Sequence, residues 1–127
     1  QNFSTSLGAN VNTTTAQQYT IALSQSLAPG MWLINAAVTC GPAGGGPYAA
    51  RIDDGTSIFA SAAAETTAAN IDYLTLPVSA IVSHTSALTY NLRFLTPSTA
   101  AGAGALAQID SPVASTAATY FIGIKIG

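Results

Sequence analysis

From Tyr19 onward, apolar and polar residues alternate every second position, interrupted by turn residues. Tyr19, Ile21, Leu23 and Leu27 fall on one side of a first extended segment, with Thr20, Ala22 and Ser24 on the other. Ala28-Pro29-Gly30 marks a turn. In the run MWLINAAVTC, Trp32, Ile34, Ala36, Val38 and Cys40 share one face. The following GPAGGGP, residues 41–47, admits no helix. Leu74, Leu76, Val78, Ala80 and Val82 line up in the next clear run, which Pro77 marks as an edge strand, a bulge or a split pair. Leu88, Tyr90, Leu92 and Phe94 then oppose Thr89, Asn91, Arg93 and Leu95; the Tyr90, Leu92 and Phe94 stripe reads first as ordinary sandwich core, and as a sharper alternative as a seam between subunits. Residues 104–110 predict a short strand, and in the final run Tyr120, Ile122, Ile124 and Ile126 alternate with Phe121, Gly123 and Lys125. Only the alanine-rich stretch from Ala60 to Ala69 hints at a helical period, and its first half reads as strand because a hairpin signal precedes it.

About seven or eight short strands separated by turns, without helices, predict an all-β jelly-roll β-sandwich; a barrel of six to eight strands fits the same pattern. Residues 1–18 are rich in Thr, Asn and Gln and predict an extended, polar N-terminal arm with at most one short strand. Residues 19–127 form the sandwich.

The stretch RIDDGTSIFASA, residues 51–62, places two carboxylates beside a glycine. A two-residue Asp54-Gly55 loop sets Ile52 opposite Ser57. A three-residue loop, Asp53-Asp54-Gly55 with Gly55 left-handed at a bulge, gathers Tyr48, Ala50, Ile52, Ile58, Ala60 and Ala62 on one face and strands only Phe59. A one-residue slip exchanges the faces of a whole strand, so the cleaner segregation favours the second. Calcium by the loop motif needs alternating oxygen ligands and a distant glutamate, which are missing. Paired hydrolytic carboxylates must converge across a cleft, whereas neighbours at a turn diverge. Asp53 and Asp54 therefore read as a hairpin tip.

Composition narrows function further. Charged residues are 6% of the 127-residue chain, against roughly 25% in ordinary soluble domains. Three Lys and Arg and a net charge of −2 exclude phosphate neutralisation on nucleic acid. The apolar runs are too short to span a bilayer as a helix. A low-charge surface favours association with copies of itself or a partner. The chain opens with Gln1 rather than Met, which is compatible with a removed residue or leader, and nothing in the sequence resembles a signal peptide. No cofactor motif is present. Gly44 to Gly46 lack the following lysine and helix of a phosphate cradle. His84 is the sole histidine and Cys40 the sole cysteine, too few for zinc. His84 reads as a loop-tip polar residue, Cys40 as a small buried apolar side chain. Arg93 and Lys125 sit opposite apolar faces, with Asp72 and Asp110 available as partners; surface pairing worth under ~1 kcal/mol is the expectation and pairing between subunits the alternative. With so few ionisable groups, an enzyme is the least expected class.

The runs SLAPGMWLINAAV, ARIDDGTSIFASA, LPVSAIV, LTYNLRF and TYFIGIKIG together resemble the C-terminal domains of bacteriophage virion proteins, compact trimeric jelly rolls of the tumour necrosis factor and complement globular-head type. The resemblance spans residues 19–127. It implies a homotrimer without catalysis, with Tyr90, Leu92 and Phe94, and Tyr120, Ile122 and Ile124, as axis-facing positions. Family members present the jelly roll after a long stalk; here only the arm precedes it. That implies a capsid decoration (cement) protein on the virion surface, bound to the major capsid protein or another virion protein through Gln1, Asn2, Phe3, Leu7 and Val11 of the arm. The alternative is a receptor- or carbohydrate-binding head of a fibre or spike, with Tyr48 and Phe59 as its aromatic platform. A secreted trimer and a major capsid protein are further classes.

Overall fold

β-Branched and aromatic residues at alternate positions suit a pleated strand with one dry face, and the chain uses them to build two large sheets, beside a separate two-stranded one. The computed structural model describes residues 2–6, 11–12, 15, 17–41, 45–67, 74–97, 106–107, 110–111, 114–117 and 119–127. In chain order the strands are β1 (Asn2–Ser6), β2 (Val11–Asn12), β3 (Thr20–Leu27), β4 (Gly30–Gly41), β5 (Gly46–Asp53), β6 (Ile58–Thr66), β7 (Leu74–His84), β8 (Leu88–Leu95), β9 (Leu106–Ala107), β10 (Asp110–Ser111), β11 (Ala114–Ala117) and β12 (Tyr120–Lys125). No described residue is helical.

The first sheet runs β1-β12-β4-β7, with the two-residue strands β9 and β2 extending it beyond the end of β4. The second runs β3-β8-β5-β6. The chain passes from β3 in one sheet to β4 in the other, back to β5 and β6, across to β7, back to β8, and finally to β12. This is jelly-roll connectivity in a β-sandwich, and the two separate sheets exclude the barrel. β7 pairs with β4 along eleven residues and with no other described strand. Pro77 thus lies on an edge strand, where a missing N–H costs least.

The core lies between the sheets. Trp32, Ile34, Ala36, Val38 and Cys40 of β4 are buried, as the alternation predicts, and face Tyr48, Ala50 and Ile52 of β5 and Tyr90, Leu92 and Phe94 of β8. Burying each large side chain contributes about 1.5–3 kcal/mol. Two β-bulges displace faces that a strict two-residue period keeps in line. One, between Ile21 and Leu23, turns Ile21 outward, 41% exposed. The other, between Ile52 and Asp53, leaves Ile52 opposite Ala60 and Asp53 opposite Ile58. Ala60, Ala62 and Ala64 therefore face inward. Ile58 lies outside, 58% exposed, while the extra residue Phe59 reaches the ring of Tyr90 with centroids 5.4 Å apart. The three-residue turn is corrected accordingly: Asp54 to Ser57 make the connection, closed by the Asp54 N–H on the Ser57 carbonyl at 3.2 Å.

Asn2–Ser6 pair antiparallel with β12, Phe3 opposite Gly123. The Phe3 ring packs edge-on against Phe121 (centroids 5.4 Å) and beside Trp32 (6.1 Å). Gly123 makes this possible, because a Cβ there would run into the Phe3 ring.

Candidate functional site

The sandwich presents two outer faces of different chemistry. On the β3-β8-β5-β6 sheet, alternation sends Arg51 and Asp53 outward from β5 and Asn91 and Arg93 outward from β8, because Ile52 and Leu92 between them point into the core. Register sets Arg51 directly opposite Arg93 and Asp53 opposite Asn91. The Asp53 carboxylate, buried despite its outward direction, joins them. Arg51 Nε donates to Asp53 Oδ2 at 2.8 Å, and Arg93 Nε lies 2.8 Å from Oδ2 and 3.0 Å from Oδ1. Asn91 Nδ2 at 3.2 Å and the Gly55 N–H at 3.0 Å also donate to Oδ1. Ser24 Oγ fixes the Asn91 amide from the third strand at 2.7 Å. The Arg51 guanidinium carbon sits 4.0 Å from the centre of the Tyr19 ring, a cation–π stack.

Burial alone would raise the Asp53 pKa. The hydrogen bonds from Arg93, Asn91, Gly55 and Arg51 together outweigh it and hold the carboxyl below the usual aspartate range. Asp54 is the turn residue: its Oδ1 accepts the Thr56 and Ser57 N–H groups at 2.9 and 2.7 Å, which lowers its pKa. The hairpin-tip reading is thus correct for Asp54 and incorrect for Asp53. Arg93 is paired within the chain, with Asp53 and not with Asp72 or Asp110; Asp72 and the Asp110 side chain lie outside the described residues. The Arg51–Asp53–Arg93 cluster escaped the sequence reading because its members are up to forty residues apart. Its one visible signal is a pair of arginines on polar-facing positions of strands with apolar inner faces.

On the β1-β12-β4-β7 sheet the outer face is apolar over one end. Ile124, Leu33 and Ile81 stand in register across three strands. Met31 and Ile126 adjoin them, linked by the Ile126 N–H on the Met31 carbonyl at 2.8 Å. Ile81 is 67% exposed, Ile126 49%, Met31 41% and Ile124 40%. Ile122 follows beside Asn35 and Ser79, whose side chains bond across the strands at 2.8 Å. No charged residue lies on this face among the described residues.

The remaining sequence-predicted positions divide by burial. Tyr90, Leu92 and Phe94 are buried between the sheets, at most 1% exposed, so they are core and their assignment to an axis is corrected. Tyr120, Ile122 and Ile124 lie on the outer face, because Phe121 takes the core side. Among the arm residues, Phe3 is packed inward, Asn2 is exposed, Val11 packs against the core, and Gln1 and Leu7 lie outside the described residues. Tyr48 is buried and Phe59 is exposed, so the two do not form an aromatic platform together. Burial pushes the Cys40 thiol up to about 12, which suits an inert core residue. His84 Nδ1 lies 2.6 Å from the Ser86 carbonyl, and its ring lies 5.5 Å from that of Tyr90. The described residues hold no group of three or more His, Cys, Asp and Glu that could bind a metal.

No protein-family model matches this chain, and no curated protein matches it. Among solved structures it is similar to the Stig cyclase Fisc of Fischerella sp. TAU in complex with (3Z)-3-(1-methyl-2-pyrrolidinylidene)-3H-indole, at 12% identity and a TM-score of 0.46, over 81% of this chain and 54% of that one. The chain thus spans about half of that protein's length. The expectation of a non-enzymatic capsid decoration protein, or of a fibre head, is not met in this comparison: the protein it finds is an enzyme, not a virion protein. A likeness this distant transfers no activity to the present chain.

Proposed function

We propose that this chain is an assembling module whose copies associate through the apolar end of the β1-β12-β4-β7 outer face. The observation that carries this reading is the in-register row Ile124, Leu33 and Ile81, flanked by Met31 and Ile126, on a face without charge. Contiguous exposed apolar surface marks an interaction site, and covering it contributes roughly 25 cal/mol per Å². The occupant is a second copy. An uncharged face offers nothing to pair with a charged partner, whereas it is complementary to itself. A net charge of only −2 lets copies approach with little repulsion. The resemblance to trimeric jelly rolls supports three copies around an axis.

Sedimentation equilibrium of the full chain tests this. The wild type is expected at a multiple of 12.7 kDa, three for the trimer. Ile81→Asp combined with Ile124→Asp gives a monomer with unchanged circular dichroism, because each copy would otherwise bury unpaired carboxylates. Ala63→Asp, on the opposite sheet, leaves the mass unchanged. A wild-type monomer at high micromolar concentration overturns the proposal.

A further inference from the structure

We infer that the outer face of the β3-β8-β5-β6 sheet binds a small oxyanion, a carboxylate, phosphate or sulfate group held between Arg51 and Arg93. This site lies on the other side of the sandwich from the assembly surface and does not depend on it.

The first ground is charge. Two guanidinium groups stand directly opposite each other on neighbouring strands, an arrangement that repels unless an anion bridges it. Asp53 supplies one negative charge against two positive ones, which leaves a surplus of one at the pair. Among the described residues, the other acids do not supply the balance. Asp54 Oδ1 is held by the turn N–H groups of Thr56 and Ser57, and Glu65 stands opposite Pro47, four residues along the strand from Arg51's partner Ser61, about 13 Å away.

The second ground is donor geometry. Both arginines reach Asp53 through Nε. A guanidinium carries five N–H donors in a planar fork, and among the described residues the Nη donors of neither arginine meet a hydrogen-bond acceptor, which leaves them for a ligand outside. The two side chains are 24% and 22% exposed, so both remain accessible from the surface.

The third ground is preorganisation. Arg51 is clamped between Asp53 and the Tyr19 ring, and Asp53 is fixed by Asn91 and the Gly55 N–H. Binding therefore orders little that is not already ordered, which favours affinity. Ile21 opposite Arg93 and Ile58 opposite Asp53, both exposed, flank the pair with apolar surface. They suit a ligand whose charged group is attached to an apolar body.

The full chain labelled with nitrogen-15 tests the site by titration with inorganic phosphate, sulfate and acetate, reading the Arg51 and Arg93 Nε–H signals. The expected result is a saturable shift of both signals with at least one anion. Saturation is lost in Arg51→Gln and in Arg93→Gln, each of which leaves Asp53 one guanidinium partner. Ser61→Glu, which sets a tethered carboxylate opposite Arg51 at an exposed position, weakens binding at least tenfold without changing the backbone spectrum. Arg51→Lys keeps the charge, loses the fork, and weakens binding several-fold. Saturation by acetate assigns a carboxylate ligand, and by phosphate or sulfate alone a tetrahedral one. Shifts that grow linearly with all three anions, or saturation unchanged in Arg51→Gln and Ser61→Glu, overturn the inference.

Discussion

The two outer faces are built by the same alternation on the same kind of strand, yet one gathers Arg51, Arg93 and Asp53 and the other carries no described charge. With eight charged residues in 127, placing three of them in one cluster determines the character of both surfaces. The charged face is internally satisfied except for its surplus cation, so it interacts with a small anion while staying wet. The uncharged face has no such means of satisfying itself, and water is excluded from it only by another surface. A sandwich can thus separate binding from assembly by distributing a few charges, with the core untouched.

Removing the centre of the charged face should have the largest effect. Asp53→Ala leaves two opposed guanidiniums and Asn91 without their common acceptor and is expected to cost about 3–5 kcal/mol in urea denaturation. A cost under 1 kcal/mol would show that solvent already screens the cluster. Phe3→Ala, which empties the position between Trp32 and Phe121 at the edge of the other sheet, should cost about 2 kcal/mol, less than a fully buried phenylalanine because Phe3 is only partly covered. Deletion of residues 1–12 should destabilise the fold at least as much, so a truncated chain as stable as the full one would return β1 to the status of a loose arm.

pH separates the faces without mutation. Because the folded pKa of Asp53 is depressed, its contribution is complete above the unfolded aspartate value of about 3.9. It declines as pH falls below that value and is lost once pH passes below the folded pKa. The stability difference between wild type and Asp53→Asn should therefore be widest near neutrality and shrink below about pH 4. A constant difference would assign the effect to packing. The smallest expected effect lies on the uncharged face: Ile81→Ala should change the monomer's stability by under about 0.5 kcal/mol, whereas Ile34→Ala, one pair along on the inner side, should cost about 2–5 kcal/mol.

Much of the fold was legible where one face of a strand is dry. Trp32 to Cys40, Leu74 to Val82 and Tyr90 to Phe94 alternate because burial imposes a period of two, and those faces lie where the pattern predicts. The bulges beside Ile21 and Asp53 were not legible, since an extra residue in a strand carries no composition mark of its own. They alone account for the misplacing of Tyr19, Ile21, Ile58 and Phe59. The candidate sites depend on pairings between distant strands, Arg51 with Arg93 and Phe3 with Gly123, which a local pattern does not contain. The same limit explains the reading of Tyr90, Leu92 and Phe94 as an axis seam: periodicity shows that three residues share a face, not whether that face meets another sheet or another chain.

The seating of β12 between β1 and β4 has a consequence for how the chain acquires its shape. The strand that comes last in sequence fills a central slot, so the row from β1 to β7 stays split until Tyr120–Lys125 has been made and has found both neighbours. Closing it joins residues more than a hundred positions apart, and such non-local pairing makes folding slow. A nascent or shortened chain would wait with two unpaired strand edges facing the gap, the condition under which β proteins aggregate. The same arrangement makes β12 the keystone of the sheet: any process that withdraws it releases β1, uncovers Phe3 and Trp32, and opens the core from one side.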